Sequence, residues 1–244
     1  MKVAGVDLAW QSERNPTAVA AGSLRGRNLK IDSIYEQLYS ANAVLEALTD
    51  IPQLRGVAID APLIIRNQTG QRDCESAIGR EYGSRHASCH TSNLAKFPNS
   101  DAVMLSEHLV AKGFAHLGST SRCWQIECYP HPALIELFNL PTRLPYKRGR
   151  VGEKRSGQAT LAQLLSGLTG AEHLTLEVPE KLKNYFNPEQ IAQLKGKALK
   201  HNEDVLDSVV CLVVAACYQL GVRDRVFGSP SQGYIYVPSL GQPN

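Results

Sequence analysis

The sequence predicts an α/β protein with a mixed sheet, and three observations carry that prediction. In "VAGVDLAW" (3–10) the residues around Asp7 are apolar on both alternating faces, as in a central strand, and in "RGVAIDAPL" (55–63) an apolar run leads to Asp60. The segments between them follow the order strand, strand, helix, so the chain opens strand, strand, strand, helix, strand. Much later, "HNEDVLDSVVCLVVAACYQL" (201–220) reads as an almost wholly apolar helix that opens with carboxylates at Asp204 and Asp207.

Each element has its own signal. "TAVAAGSL" (17–24) and "LKIDSIYEQL" (29–38) read as two strands joined at Arg25-Gly26-Arg27-Asn28, a hairpin turn. "SANAVLEALTD" (40–50) has a polar start and apolar residues at 44, 45 and 48, which fits a short amphipathic helix. Past Asp60, Pro62 stops the ladder. Residues 66–121 are polar, rich in Arg, Ser, His and Asn, with one helix around 101–112. "RCWQIECYPHP" (122–132) supplies a strand with Glu127 near its end, and a helix starts near Pro132. "PYKRGRVGEKR" (145–155) is a basic loop, 157–200 holds short helices, and "GYIYVP" (233–238) is a closing strand. The chain reads as one domain over 1–244, with largely helical insertions around 66–121 and 133–200.

Bulk properties narrow the function. The 244 residues are 43% hydrophobic and 20% charged, and a net charge of +3 leaves any nucleic-acid-binding surface to be local. There is no apolar leader before Asp7, and the apolar run 209–218 is about half a membrane span. Six cysteines at irregular spacing suggest reduced thiols, so the expected setting is cytoplasmic, with no membrane partner.

The acids carry the chemistry. Asp204 and Asp207 are three apart and share a helix face. A helix start, where the dipole favours negative charge, accounts for Glu203 and Asp204. It does not account for Asp207, which runs at once into Val209, Val210, Leu212, Val213 and Val214. In a mixed sheet the strands of Asp7 and Asp60 can be neighbours, which sets their carboxylates side by side against this helix. Crowded carboxylates raise each other's pKa unless a cation neutralises them. Oxygen-only ligands select Mg²⁺ or Mn²⁺. Two such ions about 3.5–4 Å apart activate water and stabilise the leaving oxygen in phosphodiester hydrolysis.

Six blocks occur in register: "GVDLAW" (5–10), "IDAPL" (59–63), "RDCESAIGREYGSR" (72–85), "ECYPHP" (127–132), "EDVLDSVVCLVVAA" (203–216) and "GYIYVP" (233–238). Together they resemble the DUF429 family, predicted nucleases of the ribonuclease H-like fold. The resemblance implies a mixed five-stranded ribonuclease H-like sheet flanked by helices, and a metal-dependent nuclease acting on nucleic acid. It implies Asp7, Asp60, Asp204 and Asp207 as metal-binding acids. In that scheme Asp7 bridges two Mg²⁺ or Mn²⁺ ions, Asp60 and Asp207 each complete one side, and Asp204 or Glu127 is a further ligand or water-orienting base. The chain departs from the family at Glu203-Asp204, where relatives often pair aspartates, and at Gln232, where an acid is common.

Basic residues offer candidate substrate contacts. Arg72, Arg80 and Arg85 follow the Asp60 strand and could grip backbone phosphates, or Arg72 could pair with Glu75 three residues on. Lys147 and Arg148, with Arg150, Lys154 and Arg155, read either as phosphate contacts or as a solvated loop. "HASCH" (86–90) and "CWQIECYPH" (123–131) lack the paired spacing of a structural zinc site. His131 and His201 read as packing or capping residues. There is no P-loop, no dinucleotide fingerprint, no H-E-x-x-H and no G-x-S-x-G elbow. Two rival functions use the same implied fold. A non-catalytic nucleic-acid-binding module predicts metal-independent, salt-sensitive binding. An actin-like or sugar-kinase-like phosphotransferase needs a Gly/Thr-rich phosphate hairpin after Asp7, which the sequence lacks.

Overall fold

A computed structural model describes residues 1–10, 15–169, 174–222 and 224–239. The first half contains β1 (Lys2–Asp7), β2 (Thr17–Arg25), β3 (Asn28–Leu38), α1 (Ala41–Thr49), β4 (Leu54–Ile59), α2 (Asp73–Tyr82) and α3 (Asp101–Ala111). Then come β5 (Ala115–His116), β6 (Trp124–Glu127), α4 (Pro130–Leu137), α5 (Val151–Ser166) and β7 (Thr175–Glu177). The chain closes with α6 (Pro188–Ile191), α7 (Gly196–Gln219), β8 (Asp224–Ser229) and β9 (Gly233–Pro238).

β1 is apolar on both faces because it lies in the middle of a seven-stranded sheet ordered β5-β6-β4-β1-β2-β3-β7. β1, β2 and β3 form an antiparallel meander, and Gly26 at φ +55° turns the chain between Arg25 and Asn28. On the other side of β1, β4, β6 and β5 all run parallel to it. Parallel strands end at the same edge, and that is what gathers the acids. Val6 pairs with Ile59 and Ile59 with Glu127, while Asp60 N donates to Val6 O at 2.9 Å. α1 starts where Ser40 Oγ accepts from Ala43 N at 3.0 Å, and it buries Val44, Ala47 and Leu48.

α7 lies across β1, β2 and β4. Gly5 permits the contact, since a Cβ there would stand 2.0 Å from Leu212 N and 2.3 Å from Ser208 O. These are backbone atoms that no rotamer change relieves. Gly5→Ala is therefore expected to cost about 3 kcal/mol, the upper part of the overpacking range. A urea midpoint equal to that of the wild type would rule out this close approach.

Several expectations need correcting. The sheet has seven strands, not five, because β5 and β7 add two and three residues at its edges through tertiary pairing. The closing strand is present as β9, but it pairs with β8 in a separate hairpin and reaches the main sheet through a Cys128–Tyr236 bridge and the Tyr234 hydroxyl, which donates to Gln125 O at 3.1 Å. The polar stretch 66–121 holds two helices rather than one, and its end returns to the sheet as β5. α5 begins at Val151, where Glu153 Oε2 accepts from Arg150 N at 2.6 Å, so Lys154 and Arg155 are helical rather than part of a loop. α7 begins at Gly196, well before the apolar run. Asp204 and Asp207 therefore lie inside the helix, where the dipole at its start does not explain them. Among the described residues no helix is long and apolar enough to cross a membrane.

Candidate functional site

The carboxyl edge of the sheet borders a cavity of about 650 Å³. Asp7, Asp60 and Glu127 line it from the strand ends, Lys200 and Asp204 from α7, and Arg143, Lys147 and Arg148 from the loop between α4 and α5. Asp204 thus opens to the cavity, and Asp207, one helical turn on, lies sealed behind it with no solvent exposure. The Tyr146 hydroxyl donates to Asp207 Oδ1 at 2.6 Å. Lys147 Nζ stands 2.6 Å from Asp207 Oδ2, a buried oxygen without a hydrogen-bond partner, and 3.7 Å from Asp60 Oδ2. On the other side Lys200 Nζ lies 2.6 Å from Asp204 Oδ1 and 2.9 Å from Glu203 Oε1. Asp204 Oδ2 is buried without a hydrogen-bond partner.

Burial and crowding shift these groups strongly. Asp7 is held well above the usual carboxylate range, first by burial and then by Asp207, with Lys147 opposing. Burial raises Asp60 to about 7, with Lys147 opposing and Asp207 and Glu127 adding to the rise. Asp204 is raised by burial against the pull of Lys200. For Lys147 burial works against the charge, but the attraction of Asp207, then Tyr146 and Asp60, overrides it and keeps the ammonium charged.

The family model described as "Protein of unknown function (DUF429)" matches residues 5–232, a span that takes in every acid of this cluster. The chain belongs to the DUF429 family. No curated protein and no solved structure matches it.

In this DUF429 chain the remaining candidates separate clearly. Glu127 is occupied: Oε1 accepts from Arg72 Nη2 at 2.6 Å, and Oε2 accepts from Arg72 Nη1 and from Leu63 N, each at 2.9 Å. Arg72 is equally committed, since its Nε donates to Glu75 Oε1 at 2.8 Å and Nη1 also reaches Ile64 O at 3.0 Å. Arg72 is only 3% exposed, so it braces the loop after Asp60 and leaves no open fork for a phosphate. Arg80 is exposed on α2, Arg85 binds Glu136 at 3.2 Å and Leu140 O at 2.6 Å, and neither lines the cavity. Lys147 and Arg148 do line it.

Sequence reasoning missed Arg143, Lys200 and Tyr146. Lys200 had a local signal, because it precedes Asp204 by four residues on the same helix face. Arg143 and Tyr146 had none. His131 also faces the cavity, with its ring edge-on to Tyr129 and Tyr146 and its Nδ1 buried without a partner. Burial, then the nearby Lys147, lowers its pKa to about 3, so it is neutral at physiological pH.

Among the described residues no group of three or more His, Cys, Asp or Glu side chains is arranged to hold a metal ion. That arrangement does not suit a structural zinc ion, which takes four protein ligands. Mg²⁺ or Mn²⁺ can be held by one or two carboxylates, with water and substrate phosphate completing the shell. Asp7 and Asp204 line the cavity and could hold such an ion, and Asp204 Oδ2, like Asp207 Oδ2, is buried without a hydrogen bond.

Proposed function

We propose that this DUF429 chain is a divalent-metal-dependent hydrolase of nucleic-acid phosphodiester bonds on a ribonuclease H-like fold. One observation carries the reading: Asp7, Asp60 and Asp204, from three distant segments, line one cavity together with Arg143, Lys147 and Arg148. Acids pressed toward protonation call for a cation, and guanidinium groups beside them suit a phosphate. The succession of three strands, a helix, an acid-bearing strand and a late acidic helix supports the fold assignment.

When bound by Asp7 and Asp204, Mg²⁺ or Mn²⁺ supplies an activated water and a counter-charge for the phosphoryl oxygens. Asp60, the cavity carboxylate outside the Asp7–Asp204 pair, accepts the proton of the attacking water on a carboxylate oxygen. Lys147 keeps a positive charge beside the reacting phosphate, and Arg143 and Arg148 hold the flanking phosphates. Asp207 and Tyr146 hold Lys147 in place.

Labelled single-stranded and duplex oligonucleotides with Mg²⁺ or Mn²⁺ test this. Asp7→Asn is expected to lower metal-dependent cleavage about a hundredfold or more, as losses of electrostatic stabilisation at a phosphoryl centre do. Salt-sensitive binding by the wild type with no cleavage under either metal would replace this reading with the binding-module function.

A further inference from the structure

We infer that Lys147 is a built-in cation standing where a second metal ion would otherwise sit, so that the acidic cluster binds a single divalent ion. The inference rests on the metal-dependent reading above and departs from the two-ion scheme that the resemblance implies. In a two-ion centre, carboxylates from different elements are bridged by metal. Here the pair made by Asp60, at the end of β4, and Asp207, inside α7, is bridged by the Lys147 ammonium at 3.7 and 2.6 Å.

Three features make this ammonium a fixture. Asp207 has no solvent exposure and does not line the cavity, and its Oδ1 is already engaged by Tyr146, so an ion reaches it only by removing Lys147. Lys147 is anchored by its neighbour, for Tyr146 is fully buried, and Nζ sits 5.7 Å from the centre of that ring. Only 25% of the Lys147 side chain is exposed, against 53% for Lys200 on the opposite side of the cluster.

That contrast locates the single ion. Lys200 has a half-exposed stem and can swing into water, which frees the cavity-facing side of Asp204. Asp204 Oδ2 and Asp207 Oδ2 are both buried without a hydrogen bond, but only Asp204 lines the cavity from which an ion enters. A divalent ion is therefore accepted on the Asp7–Asp204 side and excluded from the Asp60–Asp207 side. The chemical difference matters: an ammonium donates hydrogen bonds to phosphoryl oxygens but brings no bound water of its own.

Mn²⁺ titration by calorimetry, with frozen-solution electron paramagnetic resonance, tests the inference on the full chain, Lys147→Met and Lys147→Arg. Expected are one Mn²⁺ per wild-type chain and per Lys147→Arg chain, and two per Lys147→Met chain with a spin-coupled spectrum. A coupled pair in the wild type, or a single ion in folded Lys147→Met, overturns the role of Lys147 and leaves the metal-dependent reading intact. No binding by any of the three overturns both. If Lys147→Met does not fold, the wild-type spectrum decides: an isolated ion supports the inference and a coupled pair removes it.

Discussion

Arg72→Met is expected to destabilise the chain by about 3–5 kcal/mol, the usual cost of stripping the partner from a buried charge. For a chain of this size that corresponds to a fall of about 10 °C in Tm. Glu127 is 3% exposed and Glu75 1% exposed, and among the described residues Arg72 is the cation ion-paired with both. Glu75 would keep the Ser92 hydroxyl and amide as donors, and Glu127 would keep only Leu63 N. Burial already raises Glu127, and Arg72 opposes that rise, so removing Arg72 lifts it further. A carboxyl raised in the folded state loses stability as pH rises through its folded pKa. The deficit should therefore be small near about pH 4 and largest near about pH 8, and pairing Arg72→Met with Glu127→Gln should recover much of it. Equal melts for wild type and Arg72→Met at the higher pH would show that the network carries no stability. Because Arg72 also holds Ile64 O and Glu127 holds Leu63 N, the same variant is expected to loosen the loop that positions Asp60.

Asp60→Asn is expected to behave in the opposite way, gaining stability while losing function. The folded protein keeps the Asp60 proton up to about 7, whereas the unfolded chain releases it near 3.8. Between those values the folded state binds more protons, so wild-type stability falls as pH rises across that window and levels off above it. Three pKa units correspond to about 4 kcal/mol. The 16% of the Asp60 side chain that meets solvent screens the charge and makes this an upper value. Asparagine carries no charge to bury, so in metal-free buffer at about pH 8 the variant should have the higher urea midpoint, and near about pH 4 the two should converge. Mn²⁺ should stabilise the wild type by about 2.7 kcal/mol at a hundredfold excess over its Kd. That gain should be larger at the higher pH, because the ion takes the place of protons. A wild-type midpoint that does not change across the window would mean that the acids do not crowd one another. Strain stored in a site and released by disabling it is the usual stability–function trade-off.

Much of the framework was legible locally. β1, β4 and β6 announce themselves as apolar runs ending in acids, α1 by its Ser40 cap, and β9 by its composition. The start of α7 was hidden, because Lys197-Ala198-Leu199-Lys200 favours helix but carries no apolar run. β8 is mostly exposed, and β5 and β7 are too short to have a period, so nothing local marks them. In the site, the pairing of Arg72 with Glu75 could be read from their spacing, but its stronger partner Glu127 lies 55 residues away. The three-residue step from Asp204 to Asp207 placed them on neighbouring positions of one helix and could not tell which opens to the cavity.

The sequence by itself determined the α/β class, through short-range pattern, and the family, through six blocks in register, whereas the convergence of the acids was only what the resemblance implied. Only the tertiary structure decided which cations belong to those acids, with Lys147 on Asp207 and Asp60, Arg72 on Glu127 and Lys200 on Asp204. The reason is that charge pairing follows distance through space and local dielectric, and only the Lys200–Asp204 pair lies within a single helix turn where chain spacing sets that distance.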